Sequence, residues 1–336
     1  MANNKSLKFS ILIPVYNMAD TIGDTLKSIL NQSYGNFEVI IQDNDSTDGT
    51  LRVIKSFKDH RIIYHKNKSN IGAPLNMVEG EKNCSGDIIY MMAADDILEK
   101  NALLKTNKAF KISDDVGAVT RPYFWFDESI GIPVRAKKQI NSQKDTIIYI
   151  NKDNDDILGD FLSTLDQLSG LAYRKRYMKE TFRDDIWTCH GSVLLNIWKE
   201  HPVVCLKDYV VAVRIGHSAT RSDIYTNSPM LSWINMFKDV FSQSKFADIR
   251  RKCIHNFVAI NYVGLVQIKN FGTFRALLRE IYLLIKYRFN NLLNPSFWFF
   301  SLVCLIFPSF LLIPLVDLYK SKIYSKTINT IKFEYR

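Results

Sequence analysis

An α/β fold built on a doubly wound, mostly parallel sheet is the class this 336-residue chain predicts. Strand-like and helix-like patterns alternate up to about residue 120, the signature of parallel strands joined by right-handed crossovers. Each strand pattern also ends in a polar or small-residue loop. In a parallel sheet those loops gather along one edge, where open α/β sheets bind ligands.

The elements follow in order. Residues 9–16 read as a buried strand stopped at Pro14, and residues 20–30 as a helix with Ile22, Leu26, Ile29 and Leu30 on one face. Residues 37–42 form a second strand, followed by the polar loop from Asp43 to Thr50. A helix over 51–57 and a third strand over 61–65 come next, then a helix opened by Asn70, Ile71, Gly72, Ala73 and Pro74. The fourth strand is 88–92, punctuated at its start by Gly86 and Asp87.

That fourth strand ends in Ala93, Ala94, Asp95 and Asp96. Adjacent carboxylates repel, so such a pair is usually solvated or neutralised by a cation. Hard oxygen donors suit Mg²⁺ or Mn²⁺, and these suit phosphates. The competing reading is a turn and helix N-cap ahead of Ile97 and Leu98. The other loops favour the ligand site. Pro14, Val15, Tyr16 and Asn17 offer an aromatic face and backbone groups for stacking a base. Asp43, at the tip of the second strand, can accept hydrogen bonds from a base or ribose. The chain has neither a GxGxxG loop nor a GxxxxGK[ST] loop. Phosphate charge must then be met by a metal or by basic residues elsewhere.

Taken together, residues 13–17, 43–50, 70–72, 86–87 and 94–96 resemble the family 2 glycosyltransferases with the Rossmann-like GT-A fold. The resemblance covers roughly a third of the chain, from Phe9 to about Leu104. It implies sugar transfer from a nucleotide-diphosphate donor with inversion at the anomeric carbon. It also implies that Pro14, Tyr16 and Asp43 hold the nucleotide, with Asn17, Asp45 and Asn70 in the same loops, and that the acidic motif binds Mn²⁺ or Mg²⁺ and diphosphate. In the family that motif commonly reads Asp-x-Asp-Asp, and here Ala93 replaces the first acid. Asp95 is then the expected metal ligand, with Asp96 nearby or on the sugar.

The resemblance further implies an acid downstream that deprotonates the acceptor hydroxyl. The best match is Asp185, with Asp184 second, in a segment that ends at Trp187; a helix-initiating acidic turn is the plain alternative. Asp155, Asp156, Asp160 and Asp166 are rivals without a nearby aromatic wall. Gly170 would let a substrate approach the backbone. Relatives often carry an Arg and a His after a strand like the one around 209–215, so Arg214 and His217 are expected near the diphosphate. His190 is a lesser candidate that serves equally well as a structural residue.

Five scattered cysteines without CxxC spacing favour a reducing compartment, and no Cys or His spacing suggests zinc. The N-terminal stretch has no long apolar run of the secretory kind. The catalytic fold is expected over 1–225, an amphipathic basic helical region over 226–288, and a hydrophobic membrane-associated segment with a basic tail over 289–336. Residues 289–316 carry no charge, enough length to enter or cross a bilayer, but Pro308 and Pro314 interrupt them. Basic flanks on both sides favour an in-plane or re-entrant anchor over a single span. The formal charge of +10 fits an anionic lipid surface, and no nucleic-acid motif accompanies it.

Those readings converge on an enzyme at the cytoplasmic face of a bacterial inner membrane. Its acceptor would be a polyprenyl-diphosphate-linked saccharide growing into O-antigen, capsule or a related surface glycan. The rivals are a degenerate nucleotide-sugar-binding scaffold, because of Ala93, and a nucleotidyltransferase. The latter would want a Gly-rich basic loop where Pro14, Val15, Tyr16 and Asn17 stand.

Overall fold

The computed structural model describes residues 6–127, 129–150, 152, 155–215, 224–312 and 331–335. Its first half runs β1 (Phe9–Val15), α1 (Ile22–Leu30), β2 (Phe37–Asp43), α2 (Thr50–Ser56), β3 (Ile62–Lys66), α3 (Ala73–Lys82) and β4 (Ile88–Met91). Then come β5 (Ile97–Leu98), α4 (Ala102–Phe110), β6 (Ala118–Thr120), β7 (Phe124–Phe126), β8 (Pro133–Ala136) and β9 (Thr146–Ile148). The second half adds α5 (Asp155–Ser163), β10 (Ala172–Arg174), α6 (Cys189–Trp198), β11 (Val203–Cys205) and β12 (Val211–Arg214). Five helices follow: α7 (Pro229–Val240), α8 (Ala247–Ile260), α9 (Leu265–Phe271), α10 (Phe274–Tyr287) and α11 (Pro295–Ile306).

The main sheet has the order β3-β2-β1-β4-β10-β6-β11-β9. Its first four strands are parallel, as the alternating pattern requires. The sheet is mostly parallel, as expected, since β6 and β11 also run parallel, but its second half is mixed. β10 runs antiparallel to both β4 and β6, and β9 is antiparallel to β11. Gly170 makes the insertion possible: its amide donates to the Met91 carbonyl at 2.8 Å from a left-handed backbone, φ +85°. A second sheet, β5-β12-β7-β8, stands beside the acidic loop. Ile97 and Leu98 are therefore a short strand rather than the start of a helix. The segment Ile331, Phe333 and Tyr335 packs onto that sheet, with the Phe333 ring 5.0 Å from Phe124.

Alternation along β1, β2 and β4 divides the core. Phe9, Ile11, Ile13, Val39, Ile41, Ile88 and Tyr90 join the cluster that α1 and α4 cover. Leu12, Ile40, Ile89 and Met91 face the opposite way, into a cluster that runs on through α5 to α11. Burial on both faces is the reason these strands are mainly apolar, with Ser10, Glu38, Gln42 and Asp43 as the buried polar exceptions. The C-terminal helices thus share one core with the sheet: Trp233, Phe237, Leu277, Leu284, Phe297 and Cys304 belong to the same cluster as Leu12. The uncharged run expected as a membrane segment is broken. Asn294 caps α11 through the Ser296 amide at 2.9 Å, and the 12-residue helix stops before Pro308. Among the described residues no helix is long and apolar enough to cross a membrane. All five cysteines are buried and free.

Candidate active site

Two loops interlock at the C-terminal ends of β1 and β2, where Val15 and Asp43 stand in register. The Asn17 amide donates to Ser46 Oγ at 2.9 Å, and Asn17 Oδ1 accepts from the Thr47 amide at 2.9 Å. Both Asn17 and Asp45 adopt left-handed backbone, φ 52° and 67°, which Asn and Asp tolerate better than most residues. Asp43 is fully buried; its Oδ1 accepts from the Ser46 amide at 2.8 Å and the Ser46 hydroxyl at 2.6 Å. Its Oδ2 accepts from the Tyr64 hydroxyl at 2.5 Å. Burial, and then the Asp43 carboxylate, push the Tyr64 phenol upward, so it stays a donor. A carboxylate can accept about four hydrogen bonds, so three internal donors leave it room for about one more.

The remaining loop residues are tied to this frame. Asn70 Oδ1 accepts from Asn44 Nδ2 at 2.7 Å and from the Gly72 amide at 2.9 Å. Asp45 pairs with Lys66 at 2.9 Å. Pro14 is half-buried and Tyr16 exposed.

The acidic loop beyond β4 is threaded by polar side chains of the α1 segment. Thr21 Oγ1 donates to the Ala94 carbonyl at 3.1 Å, and Thr25 Oγ1 to the Asp96 carbonyl at 2.9 Å. Ser28 Oγ accepts from the Leu98 amide at 3.1 Å. Spacings of four and three put these residues on one helical face. That polar stripe beside an apolar one was the available signal, and sequence reasoning passed over it. From the other side, Ser169 Oγ accepts from the Ala93 amide at 2.8 Å and donates to Asp96 Oδ2 at 2.6 Å. The Arg214 amide donates to Asp96 Oδ1 at 3.0 Å, and Arg214 Nε to the Asp95 carbonyl at 3.1 Å. Asp96 is buried, and burial followed by the neighbouring Asp95 raises its pKa well above the usual carboxylate range.

Asp95 and Asp96 therefore differ. Asp96 is enclosed by Ser169 and Arg214 and joins two sheets. Asp95 precedes it at the mouth of β4 and is itself mostly buried, at 9% exposure. Among the described residues no three His, Cys, Asp or Glu side chains cluster as a metal cage. That donor set fits a cation which takes most of its ligands from diphosphate and water, as Mg²⁺ habitually does.

Gly170 does not open a path for substrate. A Cβ there would meet Val211 Cγ2 at 2.7 Å and Arg121 Nε at 2.8 Å. Arg121 is completely buried and donates to the carbonyls of Thr164 at 2.9 Å and Gln167 at 2.7 Å, holding the segment before Ser169.

Asp184 is exposed and Asp185 half-buried. Asp185 Oδ1 accepts from the amides of Trp187 at 2.9 Å and Thr188 at 3.1 Å, and from the Thr188 hydroxyl at 3.0 Å. One oxygen of Asp185 thus caps the turn into α6. Three of the rivals are engaged, Asp155 with Lys252 at 2.8 Å, Asp160 with Lys138 at 2.6 Å, Asp166 with Lys137 at 2.7 Å and the Tyr123 hydroxyl, and Asp156 is exposed on α5. His190 is buried; its Nε2 donates to the Leu165 carbonyl at 2.9 Å, and burial lowers its pKa to about 4. It is a neutral, structural histidine. Arg214 adjoins the acidic loop, whereas His217 lies outside the described residues.

Comparison with known proteins bears on the fold that carries these loops. The sequence pattern of "Glycosyl transferase family 2" matches residues 10–180. The putative glycosyltransferase EpsE of Bacillus subtilis (strain 168) is 33% identical over 120 residues, covering 32% of this chain and 42% of that protein. WfaP of Escherichia coli, a UDP-Glc:alpha-D-GlcNAc-diphosphoundecaprenol beta-1,3-glucosyltransferase, is 42% identical over 92 residues, 26% of this chain and 35% of that one. The match thus spans less than half the length of these relatives. Among solved structures, S. aureus TarS 1-349 with UDP-GlcNAc superposes with TM-score 0.59 at 15% identity, covering 98% of this chain and 93% of that one. The mannosyltransferase PcManGT from Pyrobaculum calidifontis, with GDP-Man and Mn²⁺, gives 0.54 at 15% identity, covering 95% and 89%. At such identities the likeness is one of fold.

Proposed function

We propose, for a chain that belongs to glycosyltransferase family 2 and is a glycosyltransferase, that it moves a sugar from a nucleotide-diphosphate donor, with inversion, to a hydroxyl of a lipid-linked saccharide. One observation carries the reading. The β1 and β2 loops are bonded to each other, and the segment after β1 is bonded to the acidic loop, so Asp43 and Asp95 lie on one sheet edge. A nucleoside at the Pro14, Tyr16, Asn17 and Asp43 end would leave its diphosphate toward Asp95, with Asp45 and Asn70 bracing the nucleotide loops.

Asp95 would hold the cation, Mn²⁺ or Mg²⁺, which when bound neutralises charge on the diphosphate leaving group. Asp96 keeps the loop in place through Ser169 and the Arg214 amide. Arg214 adds a fixed cation beside the same loop, and His217 is its proposed neighbour. Asp185, with Asp184 as second choice, would take the proton from the acceptor hydroxyl. The oxygen of Asp185 that caps α6 fixes the carboxylate's direction while its partner oxygen serves as base.

The acceptor class rests on a different support. WfaP is named for a diphosphoundecaprenol-linked acceptor, and the abequosyltransferase RfbV of Salmonella typhimurium is 35% identical over 99 residues, covering 28% of this chain and 30% of that protein. We place the protein at the cytoplasmic face of the inner membrane, in O-antigen or capsule synthesis. The test is transfer from a panel of UDP-, GDP- and dTDP-sugars onto a polyprenyl-diphosphate saccharide, with and without Mn²⁺. Product formation abolished by Asp95→Asn supports the reading; absence of donor binding under every condition overturns it.

A further inference from the structure

We infer that α10, the turn after it and α11 form a docking surface for an anionic bilayer, with a basic cleft between α8 and α10 that receives lipid phosphate. This deepens the membrane-borne acceptor proposed above and rests on that reading for its purpose, though not for its test.

α10 carries two apolar stripes instead of one. Ala276, Leu277, Leu283 and Leu284 are buried in the shared core. Phe274, Leu278 and Tyr282 are exposed at i, i+4 and i+8, a single row on the other side. A soluble helix normally presents polar residues there. The turn continues the row with Phe289 at 74% exposure and Leu293 at 86%. α11 then exposes Trp298, Phe299, Leu302 and Ile306, again at helical spacing. Single exposed apolar residues are ordinary, but two consecutive helices and their turn doing so mark an interaction surface.

The charge beside this surface identifies the occupant. The next residue of the α10 row is Lys286, whose ammonium stands 5.7 Å from the Tyr282 ring. Lys286 lines a cleft of about 470 Å³ together with Arg250, Arg251, His255 and Tyr287. Arg288 closes its rim, donating to His255 Nε2 at 3.3 Å. Arg251 is paired with Asp248 at 2.7 Å. Among the described residues, Arg250 donates to the Phe241 and Ser242 carbonyls. Among the described residues, neither Arg250 nor Lys286 nor Arg288 makes an ion pair. The one acid between residues 274 and 312, Glu280, is turned inward and accepts from the Met230 amide at 3.2 Å. An apolar row that ends in unpaired cations matches the acyl-to-phosphate boundary of an acidic membrane. A protein partner or second copy would match the apolar row without needing the cleft.

Flotation of the full chain with vesicles tests this directly. Binding is expected to vesicles of phosphatidylcholine with phosphatidylglycerol, and to fall steeply with salt. Arg250→Ala with Lys286→Ala should weaken that binding roughly thirtyfold, given the contribution of each basic residue near an acidic surface. Leu278→Asp with Leu302→Asp should abolish it. Both pairs should leave nucleotide-sugar binding unchanged, and the Leu278→Asp with Leu302→Asp pair the circular dichroism melt as well, which separates failed docking from failed donor chemistry. Equal binding to pure phosphatidylcholine, displacement by millimolar inorganic phosphate alone, or a lipid-free dimer dissolved by Leu278→Asp would each overturn the inference.

Discussion

Ser169 Oγ donates to the Asp96 carboxylate at 2.6 Å while accepting from the Ala93 amide at 2.8 Å. One hydroxyl therefore spans the acidic loop across the position where the family's first acid is missing. Ser169→Ala leaves a buried carboxylate short of a donor, a loss of about 1–3 kcal/mol. Sugar transfer should fall roughly 10- to 100-fold while the nucleotide alone binds as before. Steady-state kinetics beside calorimetric nucleotide titration checks both halves.

Asp185→Asn separates capping from proton transfer. The amide keeps an acceptor oxygen for the Trp187 and Thr188 amides, so α6 should fold normally. Loss of a general base should nonetheless lower kcat by roughly 10²–10⁴ with donor affinity intact. The same change at exposed Asp184 should leave kcat within about threefold if Asp185 is the base; reversed effects would exchange their roles.

Asp43 is offered as the nucleotide's acceptor, and its hold depends on Tyr64. Asp43→Asn should weaken nucleotide binding by roughly 10- to 100-fold, the worth of a hydrogen bond to a charged group. Tyr64→Phe removes only the donor that orients it and should cost less. Fluorescence titration with the free nucleoside diphosphate reads both.

His190 gives the fold a pH dependence. Its folded pKa, about 4, lies below the ordinary 6.5 because burial disfavours the imidazolium. A group depressed in this way contributes stability that is full above pH 6.5 and is lost as pH falls toward 4. Urea midpoints should drop across that window, and His190→Gln, which retains a donor for the Leu165 carbonyl, should flatten the drop.

Gly170→Ala should destabilise by about 2–4 kcal/mol, combining left-handed backbone strain with a Cβ forced onto Val211 and Arg121. Thermal unfolding measures it, and an unchanged melting temperature would show that Arg121 can retreat.

The first four strands and three helices were legible because β1, β2 and β4, buried on both faces, read as mainly apolar runs between polar loops, and the half-buried β3 as the short run Ile62, Ile63 and Tyr64. β10 was not, since three residues such as Ala172, Tyr173 and Arg174 carry no period, and their antiparallel entry is set by Gly170. The loops of Asp43 and Asp95 announced themselves by residue type. Ser169, Thr21, Thr25 and Tyr64 did not, because a hydroxyl gains its role only from the neighbour that folding supplies. Gly170 misled for the same reason: its small size serves Val211 and Arg121 packing.

The antiparallel entry of β10 also sets a clock during synthesis. β4 is complete at Met91, but its partner does not leave the ribosome until about 80 residues later. At 5–20 residues per second that is roughly 4–16 s during which a fully apolar strand edge waits unpaired. Nascent chains paused in that interval should be the ones that chaperones capture, and the ones that aggregate when expression is driven hard.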